Sequence, residues 1–137
     1  MKPIQSKSTL AIITSKGVQS IMCYYDGTFE TMGKKLLKFY SKSYMPIIKL
    51  MRKGTIVMLG ENLKKYDKES EPKGTLDLTG MGKPREEMKV YPTLADLVQT
   101  ETESEYLYVW NKDRWYGMKV NEGKPYMSML KELKALV

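Results

Sequence analysis

Residues 10–25 read Leu-Ala-Ile-Ile-Thr-Ser-Lys-Gly-Val-Gln-Ser-Ile-Met-Cys-Tyr-Tyr, and this stretch decides the fold. Two apolar runs rich in β-forming residues, 10–14 and 18–25, flank the loop Ser15-Lys16-Gly17. Glycine supplies the positive φ that tight hairpin loops often need. The stretch therefore predicts a β-hairpin, whose second strand ends at Asp26-Gly27.

The rest of the chain predicts a second hairpin and several helices. Residues 105–110 and 114–120 are the strands of this hairpin, around the turn Asn111-Lys112-Asp113. Apolar residues at helical spacing, or a Thr-x-x-Asp start that resembles a capping box, predict helices over 33–40, 44–53, 93–98 and 125–136. The short apolar run 56–59 predicts a strand or a tucked turn.

Residues 61–89 lack periodicity, and we expect a long irregular loop there, with a weak strand at 75–78. We found no internal repeat and no domain boundary. The sequence therefore predicts one α+β domain spanning residues 1–137, with an antiparallel sheet built from two hairpins and about four helices.

The composition excludes several classes of function. The 137 residues include no histidine, which excludes Ser-His-Asp and Cys-His catalysis and histidine-ligated zinc. Cys23 is the only cysteine, so we expect a buried apolar side chain rather than a disulfide or a thiolate metal site. No apolar run approaches the roughly 18–20 residues of a membrane helix. We expect a cytoplasmic protein without a membrane contact, a metal or a cofactor.

The positive charge is concentrated in the first half of the chain. Residues 1–60 carry ten basic and two acidic side chains, whereas 61–100 carry seven and eight, and 101–137 carry six of each. Such an imbalance attracts anionic partners such as nucleotides, nucleic acid or an acidic protein face. A lysine-rich solvated surface is the alternative, since only three of the 23 basic residues are arginine.

The first candidate binding element is the corner after the first hairpin, formed by Tyr24, Tyr25, Asp26 and Gly27. Backbone N–H groups and a carboxylate at such a corner can face a ligand. The alternative is a plain turn in which Asp26 bonds its own backbone and Gly27 supplies the dihedral angle.

The second candidate element is the second hairpin. Alternation places Tyr106, Tyr108 and Trp110 on one face of the strand, where aromatic rings can stack on bases. The alternative is a core or dimer face. Asn111 and Arg114 lie in the adjacent turn.

The third candidate element is the loop of residues 80–85, Gly-Met-Gly-Lys-Pro-Arg. It lacks the spacing of a phosphate-binding P-loop, but Lys83 and Arg85 make it a candidate anion site. We expect the ligand to lie between this loop, the Asp26-Gly27 corner and the Trp110–Arg114 turn. The alternative is that Arg85 and Arg114 pair with surface carboxylates such as Glu86, Glu87 or Asp113.

Residues 21–40 carry a recognisable pattern. Matching positions are Ile21, Cys23, Asp26, Gly27, Glu30, Gly33, Leu36 and Tyr40. With this block the chain resembles, almost end to end, a family of small, mostly uncharacterised proteins of tailed bacteriophages and prophages, whose pattern is close to C-H-W-D-G-Y-x-E-x-x-G-x-x-L. The family's His-Trp pair is Tyr24-Tyr25 here, so this chain lacks any chemistry of that histidine. The resemblance implies a phage origin and a small α+β fold.

These observations lead to three hypotheses. Because the sequence contains no catalytic constellation, we expect a non-enzymatic phage counter-defence protein that sequesters a nucleotide-type immune signal in the host cytoplasm. The second hypothesis is an inhibitor that binds a host protein through tyrosine and methionine side chains. The third is a nucleic-acid-binding protein that uses the basic half. We also expect a homo-oligomer, a dimer or higher, that covers exposed strand edges.

Overall fold

The computed structural model describes residues 5–101, 103–120 and 129–137. Within these ranges the chain forms one mixed eight-stranded sheet and three α-helices. The strands are β1 (Ser8–Thr14), β2 (Gly17–Cys23), β3 (Ile56–Met58), β4 (Leu76–Asp77), β5 (Lys89–Tyr91), β6 (Tyr106–Asn111), β7 (Arg114–Lys119) and β8 (Lys131–Glu132). The helices are α1 (Lys34–Phe39), α2 (Met45–Arg52) and α3 (Leu94–Thr100).

The strand order is β4-β3-β2-β1-β6-β7-β8, and β5 pairs with β2. β1 is central: it is antiparallel to β2 and parallel to β6, and Ser8 lies opposite both Cys23 and Tyr106. The starts of β1 and β6 therefore share one end of the sheet, here called the Ser8 end. The two hairpin turns lie at the other end, here called the turn end.

The larger core lies between one face of the sheet and helices α1 and α2. On α2, the buried side chains Ile47, Leu50 and Met51 recur at helical spacing. Trp115 fixes this layer, because its indole N–H donates to the Tyr40 carbonyl (3.0 Å) while the Tyr40 hydroxyl donates to the Gly60 carbonyl (2.8 Å).

The smaller core lies on the opposite face, since neighbouring residues of β1 alternate between the two clusters. Leu97 and Val98 of α3 belong to it, together with Val18, Leu107 and Val109. The Thr93 hydroxyl accepts from the Asp96 N–H (3.2 Å) and caps α3, which is the role that the Thr-x-x-Asp pattern predicts.

Much of the predicted organisation is confirmed. The fold is a small α+β domain, both hairpins form, and helices occupy most of the predicted segments 33–40, 44–53 and 93–98. A π-helical turn, Phe29–Gly33, leads into α1. The irregular 61–89 segment contains β4 and a 3-10 turn, Thr79–Met81.

Two fold predictions are wrong. The sheet is mixed rather than antiparallel, because β1 joins the two hairpins through a parallel contact with β6. The helix predicted over 125–136 falls partly outside the described residues, and residues 131–135 form β8 and a 3-10 turn instead. Tyr116 pairs with Glu132, and Leu133 is fully buried, so sheet pairing prevails over helical spacing there.

The buried core predicts a loss of stability in alkali. Burial raises the pKa of the Cys23 thiol from 9.0 to about 12 and the pKa of the Tyr40 hydroxyl from 10.0 to about 12. Between these values the folded state keeps protons that the unfolded state releases. We expect the free energy of unfolding, measured by urea titration, to fall above pH 9. Each of the two groups lowers it by up to about 1.4 kcal/mol for every pH unit above its ordinary pKa. In Cys23→Ala the decline begins only near pH 10, the ordinary pKa of Tyr40, and identical profiles for the two proteins contradict the prediction.

Candidate functional site

The corner of residues 24–27 lies at the Ser8 end and is held by backbone contacts on both sides. The Tyr24 N–H donates to the Ile56 carbonyl (3.2 Å), and the Tyr25 N–H donates to the Val57 carbonyl (3.0 Å). These bonds extend the parallel contact between β2 and β3 by two residues. Both tyrosines are therefore fixed beside β3.

Asp26 and Gly27 complete the corner. Asp26 has a positive φ of 57°, and its carbonyl accepts from the Thr31 hydroxyl (2.6 Å). The Gly27 N–H donates to both the carbonyl (3.1 Å) and the hydroxyl (2.8 Å) of Ser6, while the Tyr108 hydroxyl donates to the Gly27 carbonyl (2.6 Å). Both the N–H and the carbonyl of Gly27 therefore form hydrogen bonds within the protein.

A cavity of about 220 Å³ opens beside the corner, and we call it the tyrosine pocket. Its lining combines two aromatic rings, two ammonium groups, an amide and apolar side chains: Tyr24, Tyr25, Lys7, Lys83, Gln5, Val57, Leu78 and Met81. Lys7 Nζ lies 5.7 Å from the centre of the Tyr24 ring. Partial burial raises the pKa of Tyr24, and the carboxylates of Glu86 and Glu103 add to this effect, so its hydroxyl stays protonated at neutral pH.

The tyrosine pocket brings together three of the residues that the sequence singled out, Tyr24, Tyr25 and Lys83. Asp26 instead lines a separate depression of about 300 Å³, together with Lys35 and Lys73. Arg85 lines a third groove and pairs with Glu87 at 3.1 Å.

The predicted composite site is wrong, because the second hairpin's turn lies at the turn end. The five steps from Tyr106 to Asn111 place that turn about 17 Å from the Ser8 end, at about 3.3 Å per residue. Arg114 is exposed there and pairs with Glu132 at 3.4 Å rather than with Asp113. Trp110, Asn111 and Arg114 therefore do not share a pocket with Tyr24 and Lys83.

The prediction that the aromatic residues of β6 form a binding surface is also wrong, and the alternative that they belong to the core is confirmed. Tyr106, Tyr108 and Trp110 are only 9%, 0% and 3% exposed. The Phe29 ring meets the Tyr106 ring edge-on at 5.0 Å, and the Trp110 ring lies 5.5 Å from that of Trp115. Cys23 is buried, as expected.

The sequence analysis missed Lys7, although a usable signal was present. In the first hairpin Ser8 pairs with Cys23, so the next step of the same register places Lys7 beside Tyr24. Extending the strand pairing from the Ser15-Lys16-Gly17 turn finds this neighbour. Leu78 and Met81 come from the irregular segment and carry no such signal.

Comparisons with known proteins add no assignment. No protein-family model matches the chain, and no curated protein or solved structure matches it. Within the described ranges, no three His, Cys, Asp or Glu residues are grouped closely enough to hold a metal ion. The same ranges contain no helix that is both long and apolar enough to cross a membrane. The resemblance to phage proteins stays a prediction from the sequence.

The contacts of Gly27 predict that a side chain there is not tolerated. A Cβ atom at this position would lie 2.7 Å from the Ser6 carbonyl oxygen, which belongs to the backbone and cannot rotate away. We expect Gly27→Ala to lower the free energy of unfolding by about 1–3 kcal/mol in urea denaturation.

Gly80→Ala is the matched control. Its Cβ would meet only side-chain atoms, the flexible end of Leu76 at 3.0 Å and the Asp77 Oδ1 at 3.5 Å, and we expect a change within about 1 kcal/mol. If Gly27→Ala is as stable as Gly80→Ala, the corner is less tightly held than its hydrogen bonds indicate.

Proposed function

We propose that this protein is a non-catalytic phage counter-defence protein that binds a nucleotide-type immune signal in the tyrosine pocket. It sequesters the signal in the host cytoplasm. The observation that carries the proposal is the convergence of Tyr24, Tyr25, Lys7 and Lys83 on one cavity. The phage assignment rests on the sequence resemblance.

The lining suits the two parts of a nucleotide. An aromatic ring that stacks on a base contributes about 1–3 kcal/mol. A lysine ammonium group is a flexible point charge that pairs with phosphate oxygens from several directions. Gln5 adds a hydrogen-bonding amide to the lining, whereas the hydroxyl of Tyr24 is hydrogen-bonded to the Glu86 carboxylate. The basic first half of the chain raises the local concentration of such an anion.

The size of the pocket bears on the oligomeric state. At about 220 Å³ it lies below the roughly 300–1,000 Å³ of typical ligand sites, so it encloses only part of a nucleotide. Sequestration needs a more complete enclosure, and a second copy of the chain supplies one. The proposal therefore includes a homo-oligomer. Separately from the pocket, Val90 on the short strand β5 is 55% exposed at an edge of the sheet opposite Gln19, and this edge is available for pairing with a second copy.

Titration calorimetry with a panel of cyclic nucleotides and ADP-ribose derivatives tests the binding proposal. We expect heat with at least one member. Lys83→Ala, at an exposed position, should weaken that binding by about 1.5–3 kcal/mol because it removes a hydrogen bond between charged groups. Tyr25→Leu should cost about 1–3 kcal/mol because it removes a stacking ring.

Two variants at the turn end serve as controls. Lys16→Ala removes the same charge as Lys83→Ala. Arg114→Ala replaces a predicted site residue that does not line the tyrosine pocket. Both variants should bind the ligand as the unchanged protein does. The proposal fails if the folded protein gives no heat with any member of the panel. It fails equally if Lys83→Ala and Lys16→Ala bind alike.

The oligomer is tested separately. Light scattering over a wide concentration range should give a mass of at least two chains of 15.8 kDa. The mass of a single chain at every concentration contradicts self-association, while the calorimetry still decides the ligand.

A second candidate function is inhibition of a host protein by direct docking. Exposed Met81, 52% accessible, lies at the tyrosine pocket, and adaptable methionine side chains suit protein contacts. Capture of one stoichiometric host partner, lost in Met81→Asp and kept in Met45→Asp, favours this function. Met45 is similarly exposed but begins α2.

A further inference from the structure

The segment between Glu30 and Glu61 contains seven basic residues and no acidic one. Helices α1 and α2 belong to this segment, and most of its cationic side chains are exposed. The seven are Lys34, Lys35, Lys38, Lys42, Lys49, Arg52 and Lys53. We call this stretch, residues 31–60, the basic segment.

No cation of the basic segment forms an ion pair within the described ranges, although the charge of Lys53 adds to the hydrogen bonds from Thr79 and Gly80 that lower the pKa of the Asp77 carboxyl group. Ion pairs within the described ranges use Lys73, Arg85, Lys89 and Arg114, and none of them uses a cation of the basic segment. Lys35 donates to the Leu59 carbonyl (2.7 Å), and Lys38 Nζ lies 5.2 Å from the centre of the Phe39 ring. Neither contact balances a positive charge with a negative one.

Part of this charge lines a concave surface. A groove of about 360 Å³, here called the basic groove, is lined by four cations, one carboxylate, a hydroxyl and an apolar side chain: Lys49, Arg52, Lys53, Arg85, Asp77, Thr79 and Leu63. The carboxylate of Asp77 accepts from the Thr79 hydroxyl (2.7 Å) and the Gly80 N–H (2.9 Å). Asp77 thus shapes the adjoining turn, and the lining keeps an excess of positive charge.

We propose that the basic groove binds the phosphodiester backbone of a single-stranded nucleic acid. A strand presents phosphates at regular intervals and fits into a groove, whereas the flat headgroup layer of a membrane does not enter one. Contacts to phosphate oxygens carry no sequence information, so the binding is independent of sequence. Tyr44, exposed at the start of α2, is available for base stacking.

This surface is separate from the tyrosine pocket and does not depend on the proposed function. The segment of residues 77–85 lies between the two cavities: Leu78, Met81 and Lys83 line the pocket, whereas Asp77, Thr79 and Arg85 line the groove. Substitutions on one side therefore leave the other side intact.

The test is fluorescence anisotropy with labelled oligo(dT) at several salt concentrations. Counterion release gives a slope of log K against log salt of about −0.7 for each phosphate neutralised on a single strand. Arg85 is paired with Glu87, so the three other cations of the basic groove give about −2.1. Lys49→Gln/Arg52→Gln removes two of these three and should change the slope to about −0.7, with affinity at least about 10-fold lower at low salt. Both positions are exposed.

The matched control is Lys16→Gln/Lys112→Gln, which changes the net charge equally at the turn end and should keep a slope near about −2.1. Circular dichroism verifies folding, and each single variant, Lys49→Gln or Arg52→Gln, should give half of the slope change. Equal slopes for the two double variants overturn the proposal, as does an absence of binding to oligo(dT). Binding to phosphatidylserine vesicles without binding to oligo(dT) also overturns it.

The nucleotide affinity measured by calorimetry should be the same for Lys49→Gln/Arg52→Gln as for the unchanged protein, because neither residue lines the tyrosine pocket.

Discussion

The parallel pairing of β1 with β6 is the contact on which the other elements depend. It runs from Ser8 and Tyr106 to Ile12 and Trp110, and it joins two hairpins that are distant in sequence. Through it Tyr108 reaches the Gly27 carbonyl, 81 residues away. The corner that orients Tyr24 and Tyr25 is therefore held by the second hairpin, although no side chain of that hairpin lines the tyrosine pocket.

Local elements could be predicted from the sequence, and the way they are joined could not. The 15–17 turn and the Thr93 cap act over a few residues, so composition and spacing reveal them. A parallel contact between strands 98 residues apart, as for Ser8 and Tyr106, leaves no periodic signal. The alternation of Tyr106, Tyr108 and Trp110 indicates one shared face, but only the position of α1 and α2 shows that this face is buried. The two-residue strand β8 is too short for any pattern.

Of the predicted site residues, the structure places Tyr24, Tyr25 and Lys83 around one cavity and leaves the two arginines outside it. Arg85 and Arg114 were chosen because a guanidinium group binds phosphate well, which is a property of the side chain and not of its place. Both arginines pair with carboxylates, at Glu87 and Glu132. Lys7 could have been predicted instead from the register of the first hairpin, because strand pairing shows where a residue lies and its chemical type does not. Tertiary placement, rather than residue preference, thus decides which cations face the tyrosine pocket.

Cationic side chains line two separate cavities because residues 77–85 turn between them. Lys83 and Arg85 are two residues apart yet line different cavities, and Gly82, with φ of 75°, allows the turn that precedes them. The two surfaces share a general attraction for anions, but Tyr24 and Tyr25 line only one of them and the exposed face of α2 borders only the other. Under the two proposals, a folded ligand with one base and a long flexible strand therefore meet different parts of the same basic protein.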